Sequence, residues 1–402
     1  MTESAGRPSL GIGMVGYAFM GAAHAHAWRT AARVFDLPLQ PRMVALCGRD
    51  PDAVRAAADR QGWAGVETDW RALIARDDVQ LVDVCTPGDL HAEISIAALE
   101  AGKHVLCEKP LANTAAEAEA MAAAAELAAG RGIRSMTGFN YRRVPAIALA
   151  RQLVADGRLG AIRHVRASYL QDWLTDASFP LTWRLQRDRA GSGALGDLGA
   201  HVVDLAQYLT GKPITAVSGS TTTFVTERPL PAAAADGGDR TGAVTVDDAA
   251  VFSARLGSGP SGGVAIGTFE VTRFAAGRKN ALRIELNGEL GSLAFDLERL
   301  NELDFYEHGA DHGADPLTAG FRRILVTEPG HPYLSAWWPP GHVLGWDVTF
   351  THEVADLVSA IAAGRAPQPS FAAGLQVQRV LQAVQQSAAS ASAWITVPSS
   401  GH

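Results

Sequence analysis

Apolar and polar positions divide the chain into two textures. In the first third, short apolar runs alternate with helical stretches. The runs are Leu10–Val15, Arg42–Cys47, Val79–Cys85, Lys103–Cys107 and Ile133–Phe139. Helices are expected from Ala22, from Asp52, from Ala92 to Gly102, and from a capping box at Asn113-Thr114-x-x-Glu117 to near Gly130. Strand–helix alternation with near-continuous apolar strands is the pattern of a doubly wound parallel sheet.

From Ala161 the texture changes. Ile162–Leu170 partly alternates and reads as a strand. Further strands are expected near 214–226, 246–256, 263–274, 281–288 and 291–297, with Arg283–Leu293 as a hairpin turning at or beside Gly288. Consecutive strands suit one antiparallel sheet. A helix is expected through Gly196–Leu209, with Val202, Leu205, Ala206 and Leu209 as its apolar stripe. Pro229–Val244, rich in Pro, Ala, Gly and Asp, reads as a mobile surface loop. Two core-packing helices close the chain, one through Val354, Leu357, Val358 and Ile361 and ending at Gly364, the other beginning near Ser370. The fold class is therefore α/β, with a Rossmann domain at 1–140 and an α+β domain at 141–402 whose last helices can pack back on the first.

Composition narrows the partners. The 402 residues are 47% hydrophobic and 19% charged, with a net charge of −7, so the chain is globular and long enough for two domains. No Lys/Arg cluster suited to phosphate tracking occurs, which argues against nucleic acid. No apolar run reaches membrane-spanning length, and the first nine residues lack a signal-peptide core. Three cysteines (Cys47, Cys85, Cys107) suggest free thiols in a reducing compartment. A cytoplasmic protein is expected.

The chemistry starts at the first strand end. Two glycine frames compete there. Gly11-x-Gly13-x-x-Gly16 has no strand before it, whereas Gly16-x-Ala18-x-x-Gly21, containing Phe19 and Met20, has a strand before and a helix after. The second frame is the dinucleotide turn, its helix N-terminus facing the phosphates. The second strand ends in Gly48-Arg49-Asp50. No acid stands at the usual ribose position, and Arg49 suits a 2′-phosphate, which leans toward NADP, although Asp50 could reach a ribose. Thr86, Pro87 and His91 follow the third strand, at the edge where cofactors bind. Glu108-Lys109-Pro110 ends the next strand, and Lys109 there is a candidate proton handler or carbonyl polariser.

In the second half, Asp197 and His201 stand four apart, with Asp204 three further on. A carboxylate one turn before an imidazole fixes its tautomer and raises its basicity. Asp172, Trp173 and Trp183 pair polar groups with indoles, as a sugar site does and an ordinary aromatic core also does. His308-Gly-Ala-Asp311-His312-Gly-Ala-Asp315 repeats a four-residue unit and reads as a polar loop; no metal site is expected. Tyr333–Trp346 carries three tryptophans, suited to a lid or a subunit contact.

Together Gly16-x-Ala18-x-x-Gly21, Thr86-Pro87…His91, Cys107-Glu108-Lys109-Pro110, Gly138-Phe139-Asn140-Tyr141-Arg142 and Gly196-Asp197-x-Gly199-x-His201-x-x-Asp204 resemble the glucose-fructose oxidoreductase / inositol dehydrogenase / MocA family. The resemblance implies a Rossmann domain and a C-terminal domain whose large, open, mostly antiparallel sheet builds homodimers or homotetramers. It implies that Lys109, Asp197 and His201 meet beside a nicotinamide, with a cis Lys109–Pro110 peptide. The expected cofactor residues are Gly16, Ala18, Phe19, Met20, Gly21, Gly48, Arg49, Thr86, Pro87, His91, Glu108 and Lys109. Those on the substrate are Tyr141, Arg142, Asp172, Trp173, Trp183, Asp197 and His201. The expected activity is hydride transfer between NAD or NADP and a secondary alcohol or ketone of a sugar, anhydrosugar, polyol or cyclitol. The alternatives are a tight-cofactor enzyme using transient oxidation for glycoside cleavage or epimerisation, and a non-catalytic NAD(P)-binding regulator.

Overall fold

In a computed structural model, which describes residues 7–231, 240–257, 263–308 and 317–398, the chain forms two units. The first holds Met1–Arg143 and Gly345–Leu375, the second Val144–Leu344 and Gln376–His402. The first boundary thus falls three residues past the expected one, and a C-terminal segment returns to the first unit.

The first unit is built on β1 (Ser9–Val15), β2 (Gln40–Cys47), β3 (Gly65–Glu67), β4 (Leu81–Val84), β5 (His104–Glu108) and β6 (Ser135–Gly138). All pair parallel, in the order β3-β2-β1-β4-β5-β6, the doubly wound arrangement. The connecting helices are α1 (Phe19–Val34), α2 (Pro51–Gln61), α3 (Trp70–Ala75), α4 (His91–Glu100) and α5 (Ala115–Ala129). The Thr114/Glu117 capping box forms at α5 as read from the sequence. Strand residues alternate between two cores. Ile12, Met14, Leu81 and Leu106 pack with Trp28 of α1. Val15, Val82, Val84, Val105 and Cys107 pack with Ile94, Leu99 and Met121 on the other side. A returning helix, given below as α9, contributes Phe350, Val354, Leu357 and Val358 to the α1 side.

The second unit carries α6 (Pro145–Ala155), β7 (Ile162–Leu170), the short α7 (Arg187–Ala190), α8 (Ala200–Thr210) and β8 (Ile214–Thr222). Next come a two-stranded pair, β9 (Glu227–Pro229) with β10 (Thr241–Ala243), then β11 (Ala249–Leu256), β12 (Ala265–Thr272), β13 (Ala281–Gly288), β14 (Gly291–Asp296), β15 (Glu302–Glu307) and β16 (Arg322–Leu325). The C-terminal helices are α9 (Val348–Ala362), in the first unit, and α10 (Phe371–Ala389), within which the boundary falls; β17 (Ile395–Thr396) ends the chain's described structure. Among the described residues the main sheet has nine strands, ordered β16-β15-β14-β13-β7-β12-β11-β8-β17, and only β7–β12 pairs parallel. The 283–293 hairpin forms in register, Asn287 opposite Ser292. β15 and β16 were not foreseen.

Burial alternates strictly along β12, so one sheet face is covered and the other open. On the open face lies a shallow depression of about 450 Å³ lined by Arg166, Glu270, Arg283, Glu285 and Asp296 among others. The helix read through Gly196–Leu209 starts differently from expectation: Leu195–Gly199 is a π-helical turn that passes into α8. Along α8, His201 and Asp204 are buried together with its apolar residues. The middle of the Pro229–Val244 loop and residues 309–315 of the His308–Asp315 repeat lie outside the described residues.

Candidate functional site

β1 delivers the chain to Gly16, which adopts φ +105°. Only glycine takes that angle without cost, and a Cβ there would lie 2.5 Å from the Cys85 carbonyl. Gly21 approaches the Gly16 carbonyl as closely. Of the two competing frames, the structure therefore carries the turn on Gly16-x-Ala18-x-x-Gly21. Helix α1 has no side-chain N-cap at Ala18 and no acid in its first turn. By contrast Asp50 caps α2 and Thr114 caps α5. The uncapped N–H groups of α1 and its dipole are left to an anion. At the end of β4, Thr86 Oγ1 is buried without a hydrogen-bond partner among the described residues. These features fit a dinucleotide.

Gly48 has a packing reason: a Cβ there would sit 2.0 Å from the Tyr17 ring. The missing acid is thus dictated by Tyr17, and on its own says nothing about a 2′-phosphate. Arg49 is exposed, while Asp50 accepts from the Asp52 and Ala53 N–H groups as the α2 cap. Phe19 is exposed and stacks on Trp346 at 5.5 Å. Trp346 in turn donates to Tyr141 Oη at 3.3 Å; of the neighbouring pair, Tyr141 is buried and Arg142 half-buried.

His91 and Glu108 were expected on the cofactor, and the structure turns both inward. His91 Nδ1 lies 3.0 Å from the Pro110 carbonyl and Nε2 2.9 Å from that of Thr86. Carbonyls only accept, so both ring nitrogens carry protons. Burial opposes that charge, but the Cys107 sulfur and the two carbonyls outweigh it and raise the pKa to about 9. His91 thereby buckles the loop holding Thr86 and Pro87 to the cis Lys109–Pro110 segment. Glu108 is buried, its Oε1 2.9 Å from His24 Nε2 and its Oε2 accepting from the Lys109 N–H at 3.1 Å. Lys109 itself is half-buried.

His24 and Asp83 escaped the sequence reading. Asp83 is an acid in the otherwise apolar β4, and a charge in a buried parallel strand has to be paired. That was the available signal. Asp83 meets His24 Nδ1 at 3.0 Å and accepts from Trp28 Nε1 at 2.7 Å. Cys85 lies close to both. Burial and Asp83 push its thiol pKa well above the ordinary range, so it stays a thiol, a poor metal ligand.

In the second unit, the π turn is held from outside. Asp247 Oδ1 accepts from the Gly193 N–H at 2.8 Å and Oδ2 from the Leu195 N–H at 2.7 Å. A Cβ on Gly193 would lie 1.7 Å from the Asp247 carbonyl, which explains the glycine turn before the motif. Arg273, buried, donates to that same carbonyl at 3.2 Å. Burial pulls its pKa down, and Asp197, Asp247 and Asp248 oppose the shift. Asp197 thus faces a buried guanidinium, and π turns are frequent at functional sites. His201 lies edge-on to Tyr169, 5.8 Å between ring centres. Tyr169 leads to a chain of amides: its hydroxyl donates to Asn280 Oδ1 at 2.6 Å, Gln171 donates to the same oxygen, and Trp173 donates to Gln171.

The expected substrate residues of this unit divide. Trp173 packs in a small core with Leu174, Leu185 and Val246. Asp172 is tied to Lys279 Nζ at 2.7 Å and to the Gly277 N–H. Trp183 is half-buried, with the Arg184 guanidinium 4.5 Å from its ring.

A dinucleotide turn on a parallel sheet, joined to an open-sheet unit carrying an Asp–His motif, defines a two-unit oxidoreductase. Comparison with known proteins is specific. Residues 10–132 match the oxidoreductase family with an NAD-binding Rossmann fold, and 147–294 match the GFO/IDH/MocA C-terminal domain. Levoglucosan dehydrogenase of Pseudarthrobacter phenanthrenivorans is 41% identical over 97% of this chain and 98% of its own. Among solved structures, an oxidoreductase domain protein from Kribbella flavida is 65% identical with a TM-score of 0.91, covering 97% of this chain and all of that one. Levoglucosan dehydrogenase in complex with NADH and levoglucosan is 40% identical with a TM-score of 0.89, at the same coverage. The chain belongs to the Gfo/Idh/MocA family, and it is an NAD(P)-dependent sugar oxidoreductase.

Proposed function

We propose that the chain oxidises a secondary alcohol of an anhydrosugar of the levoglucosan type, with NAD as its working cofactor. The observation that carries the reading is the similarity to levoglucosan dehydrogenase over nearly the whole of both chains. The NADH held by that relative supports NAD. The exposed Arg49 supports NADP as the alternative.

A bound nicotinamide would supply the hydride-transfer chemistry at the carbinol carbon; the rest is protein chemistry. His201 takes the hydroxyl proton, since imidazole is matched to neutral pH. Asp197 orients His201 and favours its cation. Lys109 hydrogen-bonds the reacting oxygen and stabilises developing alkoxide charge. Lys109 and His201 can exchange these two roles. The uncapped end of α1, with Gly16, Ala18, Phe19, Met20 and Gly21, would hold the pyrophosphate, and Thr86 and Pro87 would contribute to the same site. Tyr141, Arg142 and Trp183 serve substrate recognition, with Asp172 and Trp173 shaping that surface. We further infer a cytoplasmic homodimer or homotetramer assembled through the open sheet face; no described helix is long and apolar enough to cross a membrane.

The test is reduced-cofactor formation against anhydrosugars, monosaccharides and inositols, each with NAD and with NADP. Turnover of levoglucosan with NAD is expected. Turnover confined to inositols or to NADP would overturn the substrate or cofactor assignment. Product formation without net cofactor reduction would favour the tight-cofactor reading.

A further inference from the structure

The first unit buries a set of ionisable groups that the mechanism above does not use. His24 lies three residues past Gly21 in α1 and is 1% exposed. The period-two alternation of β4 and β5 points Asp83 and Glu108 to the same sheet face, the one that α1 covers. There they bracket the ring, Asp83 at Nδ1 (3.0 Å) and Glu108 at Nε2 (2.9 Å). Carboxylate oxygens only accept, so both ring nitrogens donate and the imidazole is a cation. Trp28 Nε1 fixes the Asp83 end at 2.7 Å. The other groups facing the ring are Cys85 after β4, the Phe350 ring at 5.2 Å, and Glu353 of α9, which faces Arg143 at 3.7 Å.

Such a cluster is an expensive way to glue a sheet to a helix. Apolar residues of similar volume would do so at least as well. What an apolar core could not supply is direction. Glu108 spends one oxygen on His24 and the other on the Lys109 N–H. We propose that His24 is a positioning residue for the reaction, tying the phosphate-facing helix α1 through Glu108 to the backbone of Lys109. The inference rests on the reading that Lys109 acts on the reacting oxygen. It makes the placement of Lys109 mechanically dependent on one imidazolium carried by α1.

The test uses the full chain with His24→Gln, His24→Phe, Glu108→Gln and the His24→Gln/Glu108→Gln double variant. Two readouts are taken. The first is backbone hydrogen exchange of the Lys109 amide without cofactor, which should speed up in Glu108→Gln and His24→Phe. The second is steady-state kinetics on levoglucosan, with NADH affinity by fluorescence. Misplacing a reacting group costs about ten- to a hundredfold in kcat, and that loss is expected in Glu108→Gln, with KM and NADH affinity within about threefold of wild type. His24→Gln, which retains one donor, should keep more activity than His24→Phe. The double variant should be no worse than Glu108→Gln, because both substitutions cut one connection. Unchanged Lys109 exchange, kcat within about twofold of wild type, or losses that multiply in the double variant would overturn the proposal. Should His24→Phe not fold, the nearly isosteric Glu108→Gln decides. If the wild type itself turns over no sugar, the functional reading fails, and Lys109 exchange still decides whether His24 holds that residue.

Discussion

Each unit places a buried cation among carboxylates directly behind its candidate catalytic side chain, yet the cations differ. Behind Lys109 it is His24, between Asp83 and Glu108. Behind Asp197 it is Arg273, beside Asp247 and Asp248. An arginine keeps its charge at any pH the protein meets, whereas a histidine can lose it. The second unit therefore holds its motif with a fixed charge, and the first with one that the solvent can remove.

The sharpest way to break this comparison is to remove the fixed charge. Arg273→Met removes the guanidinium beside Asp197, Asp247 and Asp248 and leaves Asp248 only the field of Arg228. Breaking a buried pair from one side costs about 3–5 kcal/mol, so chemical denaturation should show that loss at neutral pH. A loss below about 1 kcal/mol would mean that the backbone N–H groups and Arg228 satisfy the two acids without it.

The next test uses pH. Burial works against the His24 cation, and Asp83 outweighs it, holding its pKa well above the ordinary value. His91 is raised to about 9. Burial likewise pushes the Glu353 carboxyl up to about 8, against Arg143. All three bind protons more tightly folded than unfolded. Their stabilisation is complete below the unfolded pKa and is lost as pH rises through the folded one. For His91 alone, the window from 6.5 to about 9 carries about 3 kcal/mol at most. Hydrogen exchange in β4 and β5, corrected for its intrinsic pH dependence, should lose protection between pH 6.5 and 9, while β11 and β12 keep theirs. Equal loss in both units would end the distinction. On the acid side, burial lowers His352 and His104 to about 4. Below pH 6.5 the unfolded chain takes protons that these two refuse, so the first unit weakens in that direction too.

A smaller effect is expected where the two devices meet the backbone. Asp247→Asn keeps one acceptor and loses the other on the Gly193 and Leu195 N–H groups. The cost is about 1–3 kcal/mol. With the π turn released, kcat should fall while NADH affinity, a property of the first unit, stays as it was. A parallel fall in both would show that Asp247 acts by general destabilisation.

The sequence exposed whatever depends on local spacing. The Gly16 frame, the Thr114 capping box and the 283–293 hairpin follow from residues a few positions apart. So does the presence of an Asp–His motif at Asp197 and His201. The supports stayed hidden because their partners are brought together only by the sheets: His24 and Asp83 are 59 residues apart, Gly193 and Asp247 54. His91 and Glu108 were read as cofactor residues because both stand at strand ends. Which way a strand-end side chain turns is decided by what lies across the sheet. The π turn was missed for the same reason, since its anchor is Asp247. β15 and β16 lie past the last strand read; β16 is the sheet's edge, where only one neighbour enforces the alternation, and β15 is next to it.

The smallest expected effect checks that the comparison concerns the clusters and not helix ends in general. Thr114 caps α5, accepting from the Glu117 N–H at 3.2 Å while Glu117 Oε2 accepts from the Thr114 N–H at 2.9 Å. The box is exposed and contains neither cluster. Thr114→Ala removes the cap and should cost about 1 kcal/mol, read as a small drop in the denaturation midpoint. Because α5 is distant in role from both buried cations, the pH dependence of exchange in β4 and β5 should be superimposable on wild type, and kcat should not move. A shifted pH profile would mean that the first unit responds to solvent through its whole helical layer. The histidines would then be passengers in that response, and the contrast with Arg273 would lose its physical basis.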